Sequence, residues 1–550
     1  MPKYRNQNLK ARLSTNVKSA DGTTAVLPKP NATNISGNPA YTQDKWLRLL
    51  TMLNTLKMEN QYYRTENQTM VELKGLIHDC ATEDAYFTAQ CIVYSRCVGE
   101  GMRSISHLAA TYLAPYVSGQ EWSKRFYGLW NKKEGKGGVI FRPDDMSEIT
   151  ACYSFLNINP KTGKPFNITN AMKGGFRSAL ESMDSYSLLK YKPSLLDLIN
   201  IVHPNPNNSK ALVEYNGERV SVFEAIIKGY PVSADTWEVA QSEAGQEVAK
   251  AVKEGKISQA EAEKVLKEAK AENWTELLNE NKLGILAAIR NIRSMLNAGV
   301  KGDIMNKLCD LLSNKEAILK GKIMPYQIDM ANEVMMAEFN SPESRRISQA
   351  LLAGYESALP NLKDALPGST LVMLDQSGSM WMRGNQIQDP NRKLQYTKLA
   401  GDKAALIAAT IAKATNGDVI LFGSDAHYVN YNPNQDVFSI AKGWTKGMGG
   451  TSLHAAWSAA QRSGRNYTRV FILSDNECNR GNSYEAYKSY VNGVGNPYVY
   501  SVDLAAYGTT QLVGDKVRFY YGFGYSMFDD IAKSEFNPNY HLDKVKSIVI

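Results

Sequence analysis

The sequence lacks a long apolar run and a recognisable cysteine pattern. No stretch of the 550 residues approaches the roughly 20 consecutive apolar residues needed to span a bilayer. The basic, polar start MPKYRNQNLKAR also lacks the apolar segment of a secretory signal. The six cysteines are scattered without a CxxC pair, which favours free thiols in a reducing compartment over a disulfide framework. We therefore expect a cytoplasmic protein.

Common catalytic motifs are missing as well. The chain contains no HExxH, no P-loop and no Ser/His/Asp order, and its six histidines are far apart. These absences predict a protein that is not an enzyme. At 43% apolar and 21% charged residues the composition is that of a folded chain, and its length predicts two or more domains.

Basic residues only slightly outnumber acidic residues. The net charge of +8 is spread unevenly, because residues 1–40 carry six Lys or Arg against one Asp. This segment is rich in Asn, Thr, Ser and Pro and has no helical period, so we predict a flexible basic N-terminal arm. A modest basic excess permits polyanion binding without establishing it.

Residues 41–367 show helical periodicity almost throughout. The apolar residues of the first helix, from Trp46 to Leu56, follow the i, i+3, i+4, i+7 spacing that places one apolar stripe on a helix. A later helix is predicted to start with Thr82 as N-cap and to stop at Gly99. Residues 235–282 are interpreted as exposed helices. Amphipathic stretches are also predicted at 104–117, 145–156, 169–183, 194–202, 283–297, 303–312 and 345–358. Many helices with short polar loops indicate an all-α, stacked helical-repeat array.

The pattern changes at Pro367, and residues 368–550 alternate short apolar strands with helices. Strands are predicted in TLVMLD, DVILFG, RVFILSD, YVYSVDL and VRFYYGF. Apolar strands that alternate with helices predict a parallel sheet buried on both faces, hence a doubly wound, Rossmann-like α/β domain.

Oxygen-bearing side chains follow two of these strands. Asp375, Ser377 and Ser379 come at alternate positions after the first strand, and Asp475 ends RVFILSD. Thr451 lies in the Gly-rich loop KGMGGTSLHAAW. In such a domain the carboxyl ends of the strands form the ligand crevice, so these side chains should converge. Oxygen ligands with room for water favour Mg²⁺, or Mn²⁺, over Zn²⁺.

This DxSxS…T…D pattern resembles the metal-ion-dependent adhesion site (MIDAS) of von Willebrand factor A (vWA) domains, and every position of that motif is present. The resemblance implies that both serines ligate the ion directly, that Thr451 and Asp475 act directly or through water, and that a partner's carboxylate can complete the shell. The alternative is an ordinary strand-to-helix turn with an N-cap.

The helical half resembles the TROVE module of the Ro autoantigen family. The segments that carry this resemblance are YSRCVGEGMRS (94–104), RPDDMSEITACY (142–153), SLLKYKPSLLDLINIVHPNP (187–206), ILAAIRNIRSMLNAGV (285–300), KIMPYQIDMA (322–331) and YESALPNLKDALPGSTLVMLDQSGSM (355–380). It extends over roughly 40–550, including the order of helical module and vWA domain.

The resemblance implies a HEAT-like helical ring of one protein chain, closed by the vWA domain. In the family, a positive channel takes single-stranded 3′ ends of misfolded or immature non-coding RNAs. The outer surface binds a small structured Y RNA as a ribonucleoprotein. Bacterial members act in RNA maturation and decay with exoribonucleases, and the ring itself is non-catalytic.

Matching the motif residue by residue implies RNA contacts at Lys190, Tyr191 and His203, with Lys192 as an added basic neighbour. Lysines reach phosphates, and Tyr or His side chains can stack on bases. Alternatively, Tyr191 packs in the core and His203 caps a helix. A family arginine has no counterpart at Pro193 and Ser194, which leaves specificity for a Y RNA open. Further candidates for the channel are Arg96, Arg103, Arg290 and Arg293, for which salt bridges on helix surfaces are the alternative.

Two other functions remain open at the level of sequence. The MIDAS could capture an acidic residue of a partner, which would make the chain a metal-dependent protein-interaction scaffold. Asp375 and Asp475 could also serve a metal-assisted hydrolase, although no general base accompanies them.

Overall fold

The structure is a computed structural model that describes residues 14–56, 58–232, 248, 250–254, 256–381, 398–444, 447–534, 537 and 539–550. Helices dominate the described chain up to Ala365, and strands alternate with helices from Thr370 onward. Among these residues, no helix combines the length and apolar character that crossing a membrane requires. All six cysteines have free thiols, as predicted.

The N-terminal segment is ordered from Ser14, so the predicted flexible arm is wrong for residues 14–40, while residues 1–13 lie outside the described residues. Its strands are β1 (Ser14–Lys18), β2 (Thr24–Pro28), β3 (Ala32–Thr33) and β4 (Pro39–Thr42). A turn at Asp21-Gly22, with Gly22 at φ 84°, joins β1 to β2 in an antiparallel hairpin. Val17, Ala25 and Leu27 are buried in a core shared with the C-terminal sheet. An Asp-Gly pair between alternating apolar residues is typical of a β-hairpin. The polar composition of residues 1–40 hid this pattern.

The first helical block spans residues 45–227. Its helices are α1 (Lys45–Thr55), α2 (Glu66–Val93), α3 (Ser104–Val117), α4 (Ser123–Phe126), α5 (Pro143–Leu156), α6 (Asn170–Ser182), α7 (Ser185–Lys190), α8 (Lys192–Val202) and α9 (Val222–Ile227). Short hairpins β5 (Trp130–Asn131) with β6 (Lys136–Gly137), and β7 (Leu212–Tyr215) with β8 (Glu218–Ser221), interrupt them. The predicted stripe from Trp46 to Leu56 is buried, and the Asp44 carboxylate caps α1 by accepting from the backbone N–H of Trp46 and Leu47.

The second long helix begins earlier than the sequence predicts. Thr82 lies inside α2 and donates its hydroxyl to the backbone carbonyl of His78, so it is not an N-cap. The helix instead kinks at Asp84, where φ is −151°, and the Asp84 carboxylate accepts from Phe87 N at 2.8 Å. The polar residues that predicted an N-cap therefore mark a kink inside α2, where the Asp84 carboxylate caps the helical segment that follows. A π-helical turn, Tyr94–Val98, follows and ends at Gly99 as predicted.

The second helical block spans residues 259–365. Its helices are α10 (Gln259–Asn279), α11 (Ile285–Ala298), α12 (Asp303–Leu312), α13 (Lys315–Lys320), α14 (Pro325–Glu338), α15 (Pro342–Ala358) and α16 (Leu362–Ala365). Part of the charged 235–282 region, predicted to be exposed, lies in the core of this block. Trp274 at the C-terminal end of α10 is fully buried, together with Leu277 and Leu278. Residues 233–247 lie outside the described residues.

The C-terminal region contains a six-stranded sheet in the order β11-β10-β9-β12-β13-β15. Its strands are β9 (Thr370–Asp375), β10 (Asp418–Phe422), β11 (Ala426–Val429), β12 (Arg469–Ser474), β13 (Tyr498–Asp503) and β15 (Val517–Tyr521), and the short β14 (Thr509–Thr510) pairs with β4. Its helices are α17 (Gly378–Trp381), α18 (Ala400–Thr415), α19 (Val437–Gly443), α20 (Leu453–Ser463), α21 (Ser483–Gly493), α22 (Tyr525–Ser534) and α23 (Tyr540–Lys546).

The sheet is mixed rather than wholly parallel. The predicted strands pair in parallel, but β11 pairs antiparallel with β10 at the edge of the sheet. A tight turn after Phe422 returns the chain directly, so no crossover helix separates these strands. Side chains of β9 alternate between two cores, with Leu371 and Met373 on one face and Val372 and Leu374 on the other.

Both helical blocks contact the C-terminal sheet region. The first block starts there, where α1 packs on β15, and the second block ends there, where α16 packs on α18. The Lys322 ammonium links the two blocks by donating to the backbone carbonyls of Val98 and Gly99 at 2.7 and 2.9 Å. The helical region thus leaves and re-enters the same C-terminal region.

Candidate metal centre and candidate nucleic-acid interface

The predicted metal residues come together beyond the carboxyl ends of β9 and β12. The strand order reverses here, because the chain passes from β9 to β10 on one side and later places β12 on the other. Leu374 is in register with Leu473, which puts Asp375 beside Ser474 and leaves Asp475 in the next position. This is the switch point at which open α/β sheets form their ligand crevice.

Hydrogen bonds orient the Asp375 carboxylate in this crevice. Ser377 N donates to its Oδ1 at 2.8 Å, and the Ser474 hydroxyl donates to its Oδ2 at 2.5 Å. The hydroxyls of Ser377 and Ser379 lie 3.2 Å apart, and Ser379 also hydrogen-bonds Asp475. These contacts join four of the five predicted residues, with Ser474 as an additional member that the sequence pattern did not indicate.

The loop that carries the fifth predicted residue, Thr451, is joined to the DQSGS segment by backbone hydrogen bonds. Gly378 N donates to the Gly449 carbonyl at 2.8 Å, and Met448 N donates to the Gln376 carbonyl at 2.7 Å. Gly449 adopts φ 77°, which favours glycine and lets the loop turn against the DQSGS segment. The Gly-rich loop is therefore fixed to the loop that follows β9, as the sequence predicted.

The electrostatics of this cluster fit a cation. Burial and the neighbouring Asp475 carboxylate raise the pKa of Asp375, and burial raises the pKa of Asp475 as well. Oδ2 of Asp475 is buried without a hydrogen-bond partner. A divalent ion would neutralise both carboxylates and supply the missing partner, so Asp375, Ser377, Ser379, Thr451 and Asp475 fit an oxygen-ligated metal.

Two further buried acids stand close to this cluster. Glu477 is fully buried, and burial together with Asp475 raises its pKa to about 8. Its Oε2 accepts from Ser36 N at 3.2 Å, whereas Oε1 has no partner. Asp503 at the end of β13 accepts from the backbone N–H of Ala505 and Ala506. The alternate acids of SDNEC could have indicated Glu477, but Asp503 becomes adjacent only through the strand order. Within the described part of the chain, no three His, Cys, Asp or Glu side chains form a metal cage.

A small cavity opens onto the cluster. The cavity has a volume of about 120 Å³, and Ser379 and Asp475 line it from the sheet side. Gln61, Tyr62 and Lys403 line it from other directions. A carboxylate that enters through this cavity would pass the chain that follows α1 before it reaches the metal residues.

The candidate RNA residues lie at the two ends of α8. Lys190 and His203 are exposed, whereas Tyr191 and Lys192 are half-buried. The Tyr191 ring faces the Arg142 guanidinium at 5.8 Å, and the Lys192 ammonium donates to the Val232 carbonyl at 2.7 Å. Since α8 has 11 residues, its ends are about 16 Å apart, too far for one nucleotide to contact both.

His203 occupies the C-cap of α8 with left-handed backbone, at φ 50° and ψ 63°. Its N–H donates to the Ile199 carbonyl at 2.9 Å, so the backbone caps the helix while the imidazole extends into solvent. The two sequence interpretations of His203 are thus compatible, because the cap uses the backbone and an RNA contact would use the side chain.

Arg96 is buried and cannot line a channel, so this candidate was wrong. Its guanidinium makes two hydrogen bonds to the Asp145 carboxylate, at 2.7 and 2.8 Å. His107, also fully buried, places its ring nitrogens 3.3 Å from Asp145 and 3.0 Å from Glu148. Arg103 is held by Asp144 at 2.6 Å and by Glu148 at 2.8 Å.

This ionic cluster is structural in character. Burial opposes ionisation of Asp145, but the hydrogen bond from His107 and the Arg96 guanidinium outweigh it and lower the pKa of Asp145. Of the remaining arginines, Arg293 pairs with Glu338 at 2.7 Å, as the salt-bridge alternative anticipated, and Arg290 is exposed.

Comparison with known proteins gives one family match. The family model of the TROVE domain matches residues 211–393. That segment, about a third of the chain, is similar to the TROVE domain. The TROVE segment contains Arg290, Arg293 and the DQSGS loop, and it runs across the predicted domain boundary at Pro367. The candidate RNA residues of α8 precede it, and Thr451 and Asp475 follow it.

Among solved structures, the chain is similar to one described as the crystal structure of Deinococcus radiodurans RO (RSR) protein. The identity is 15% and the TM-score 0.44, with 92% of this chain and 96% of that chain covered. No curated protein matches.

Proposed function

We propose that this chain is a non-catalytic RNA-binding protein of the Ro type that serves non-coding RNA quality control, maturation or decay. The observation that carries the proposal is the TROVE match over residues 211–393, which agrees with the resemblance of the longer sequence to the Ro family. In this proposal a small structured RNA, of the Y type, binds outside, and single-stranded 3′ ends of misfolded or immature RNAs enter a central channel. An exoribonuclease would act through the bound RNA.

The connectivity of the helices supports a ring made by one chain. The helical region starts on β15 through α1 and ends against α18 through α16, so both of its ends meet the C-terminal region. A ring closed by that region requires such connectivity. The metal residues lie at the carboxyl ends of β9 and β12, beside the chain following α1, so an ion bound there would be near the closure of the proposed ring.

The proposed RNA contacts are those side chains that remain accessible. Lys190 and Arg290 are exposed cations suited to phosphates, and His203 is an exposed ring at the end of α8. Tyr191 presents part of its ring beside the Arg142 guanidinium. Together they give a set of contacts along one helix, with the second block adding Arg290.

Co-purifying RNA tests the proposal most directly. The protein isolated from its native cells should carry small structured RNAs and RNAs with free single-stranded 3′ tails, identified by sequencing after extraction. The matched control is the protein isolated in parallel after a high-salt wash, which should strip RNA held by phosphate contacts. Recovery of no enriched small RNA would reject the proposal, and RNA cleavage by the purified protein with Mg²⁺ would reject its non-catalytic part.

We also propose a Mg²⁺ or Mn²⁺ ion at the cluster of Asp375, Ser377, Ser379, Thr451 and Asp475, through which the chain could act as a metal-dependent protein-interaction scaffold. The unpartnered, buried Oδ2 of Asp475 favours this second function. In this proposal both serines ligate the ion directly, and Thr451 and Asp475 act directly or through water, as the MIDAS resemblance implies. The cavity of about 120 Å³ above them admits a small acidic group but not a folded surface.

Metal binding should raise the thermal stability of the protein, and Asp475→Asn should remove that response. A ligand that binds only the folded state at about 100 times its Kd stabilises by about 2.7 kcal/mol, which differential scanning fluorimetry detects. Asp425→Asn, on the turn that joins β10 and β11, is the control and should keep the wild-type response to Mg²⁺ and Mn²⁺. Equal metal-induced shifts in wild type and Asp475→Asn would contradict the assignment.

A further inference from the structure

The loop between α5 and α6 carries exposed aromatic and basic side chains on a defined backbone. Asn159 N donates to the Lys164 carbonyl at 2.8 Å, and Phe166 N donates to the Asn157 carbonyl at 2.8 Å. Gly163 turns the chain at φ 65°, and Ile158 bridges Pro165 in an antiparallel pair. We name residues 155–166 the α5–α6 hairpin. These hydrogen bonds fix the positions from which its side chains project.

Two phenylalanines at the base of this hairpin face solvent. Phe155 is 75% exposed and Phe166 is 49% exposed, with Ile158 between them at 46%. Among the described residues, neither phenylalanine ring packs on another aromatic ring, and each leaves about half or more of its surface in solvent. A single exposed apolar side chain is ordinary, but a group of neighbouring ones is typical of an interaction site.

The charged side chains of the hairpin itself are all basic. Lys161 and Lys164 are exposed at its tip, and neither is paired with a carboxylate within the described residues. The sequence contains no Asp or Glu between Glu148 and Glu181. The exposed Lys124 adds another cation, since its side chain lies against Gly174 of α6. An anionic occupant is therefore favoured.

The hairpin also joins the two helices that contact the ends of α8. Arg142, just before α5, faces the Tyr191 ring, and Arg177 of α6 donates to the Val202 carbonyl at 2.8 Å, beside His203. From Arg177 to the start of α6 at Asn170 is about 10 Å of helix. The α5–α6 hairpin therefore lies nearer to the His203 end of α8, because the 14 residues of α5, about 20 Å of helix, separate Arg142 from the hairpin.

We propose that the α5–α6 hairpin is a further binding site for single-stranded RNA, in which Phe155 and Phe166 stack on bases and Lys161 and Lys164 contact phosphates. Aromatic faces combined with unpaired lysines are how proteins bind single strands without reading their sequence. An apolar protein partner would not require the lysines, and a duplex would not offer base faces. The inference rests on the proposed function, because it extends the same RNA from α8 onto a second surface.

The test is a fluorescence-anisotropy titration of the full chain with a fluorescein-labelled oligouridylate of about 12 nucleotides. Phe155→Ala with Phe166→Ala should weaken binding about tenfold or more, as loss of base stacking does. Leucine at both positions should give the same loss, because it keeps apolar area without a ring face. Val71→Ala with Lys74→Gln removes a similarly exposed apolar and basic pair from α2 and should leave affinity within about twofold.

Lysine substitutions provide an independent readout. Lys161→Gln with Lys164→Gln should lower the slope of log affinity against log salt by about 1.4, the counterion release expected for two contacts to a single strand. Circular dichroism should be unchanged in each variant, since all four side chains are exposed.

The possible outcomes separate the two proposals. If the wild type does not bind the oligonucleotide, the proposed function fails and this inference fails with it. If the wild type binds and the phenylalanine variant binds equally well, only the hairpin site is rejected. Retained binding by the leucine variant would reject stacking, and an unchanged salt slope would reject the lysine contacts.

Discussion

Asp145→Ala is expected to cost about 3–5 kcal/mol of stability in the first helical block, because it leaves the buried Arg96 charge without its partner. The Arg96 guanidinium and the His107 ring both face this carboxylate, and all three groups are buried. Asp145 also accepts from Phe141 N at 2.8 Å and Arg142 N at 3.2 Å, so its loss uncaps α5 as well. Hydrogen exchange of α3 and α5 in the intact protein measures the local free energy of opening.

Asp184→Ala is the matched control for this variant. Asp184 is exposed and caps α7 by accepting from Ser187 N at 2.7 Å, so its loss should cost about 1 kcal/mol. A loss in Asp145→Ala no larger than in this control would contradict the assigned role. Pairing Asp145→Leu with Arg96→Met should recover much of the stability, since it removes both buried charges together.

The same ionic cluster has a defined pH dependence. Burial opposes ionisation of Glu148, but hydrogen bonds from His107 and Ser104 lower its pKa from 4.5 to about 2. A carboxyl whose pKa is lower in the folded state stabilises the fold above its unfolded pKa and loses this contribution as the pH falls towards the folded value. The local stability of α3 and α5 should therefore decline between about pH 4.5 and pH 2.

Periodic segments were predictable from the sequence, because packing within one helix or strand is a local property. The helix predicted at 104–117 is α3, and the strand TLVMLD is β9 with its predicted bounds. The β1–β2 hairpin was missed because Asn, Thr, Ser and Lys dominate its composition, while only Val17, Ala25 and Leu27 alternate into the core. The prediction that α10 is exposed failed because Trp274 is buried in the core of the second block, where α10 packs on α11 and α12.

The candidate sites also differ in how far the sequence could predict them. Asp375 and Asp475 could be placed together because strand ends meet at the switch point of a doubly wound sheet. The burial of Arg96 could not be inferred from the sequence, because Asp145 and His107 come close to it only through the packing of α3 against α5. Glu477, two residues after Asp475, was not predicted because the DxSxS…T…D pattern has no acid at that position.

Lys190→Ala, Lys192→Ala and His203→Ala combined should lower RNA affinity by about 1–3 kcal/mol, or about 5- to 150-fold at constant salt. Lys190 and His203 supply the accessible charge and ring, and Lys192 holds the start of α8 through the Val232 carbonyl. The loss should be shared by all RNA sequences, because phosphate contacts position a strand without reading bases. Anisotropy titration with a small structured RNA recovered from the native complex measures it.

A control with the same loss of charge separates contact from general electrostatics. Lys301→Ala, Lys363→Ala and His427→Ala remove two exposed lysines and an exposed histidine from other elements. Screening by salt confines the field of an exposed charge to about 10 Å at 0.1 M, so distant lysines should contribute little to affinity. If both triple variants bind RNA as tightly as each other, α8 is not a contact surface, and the RNA proposed for this chain must bind elsewhere.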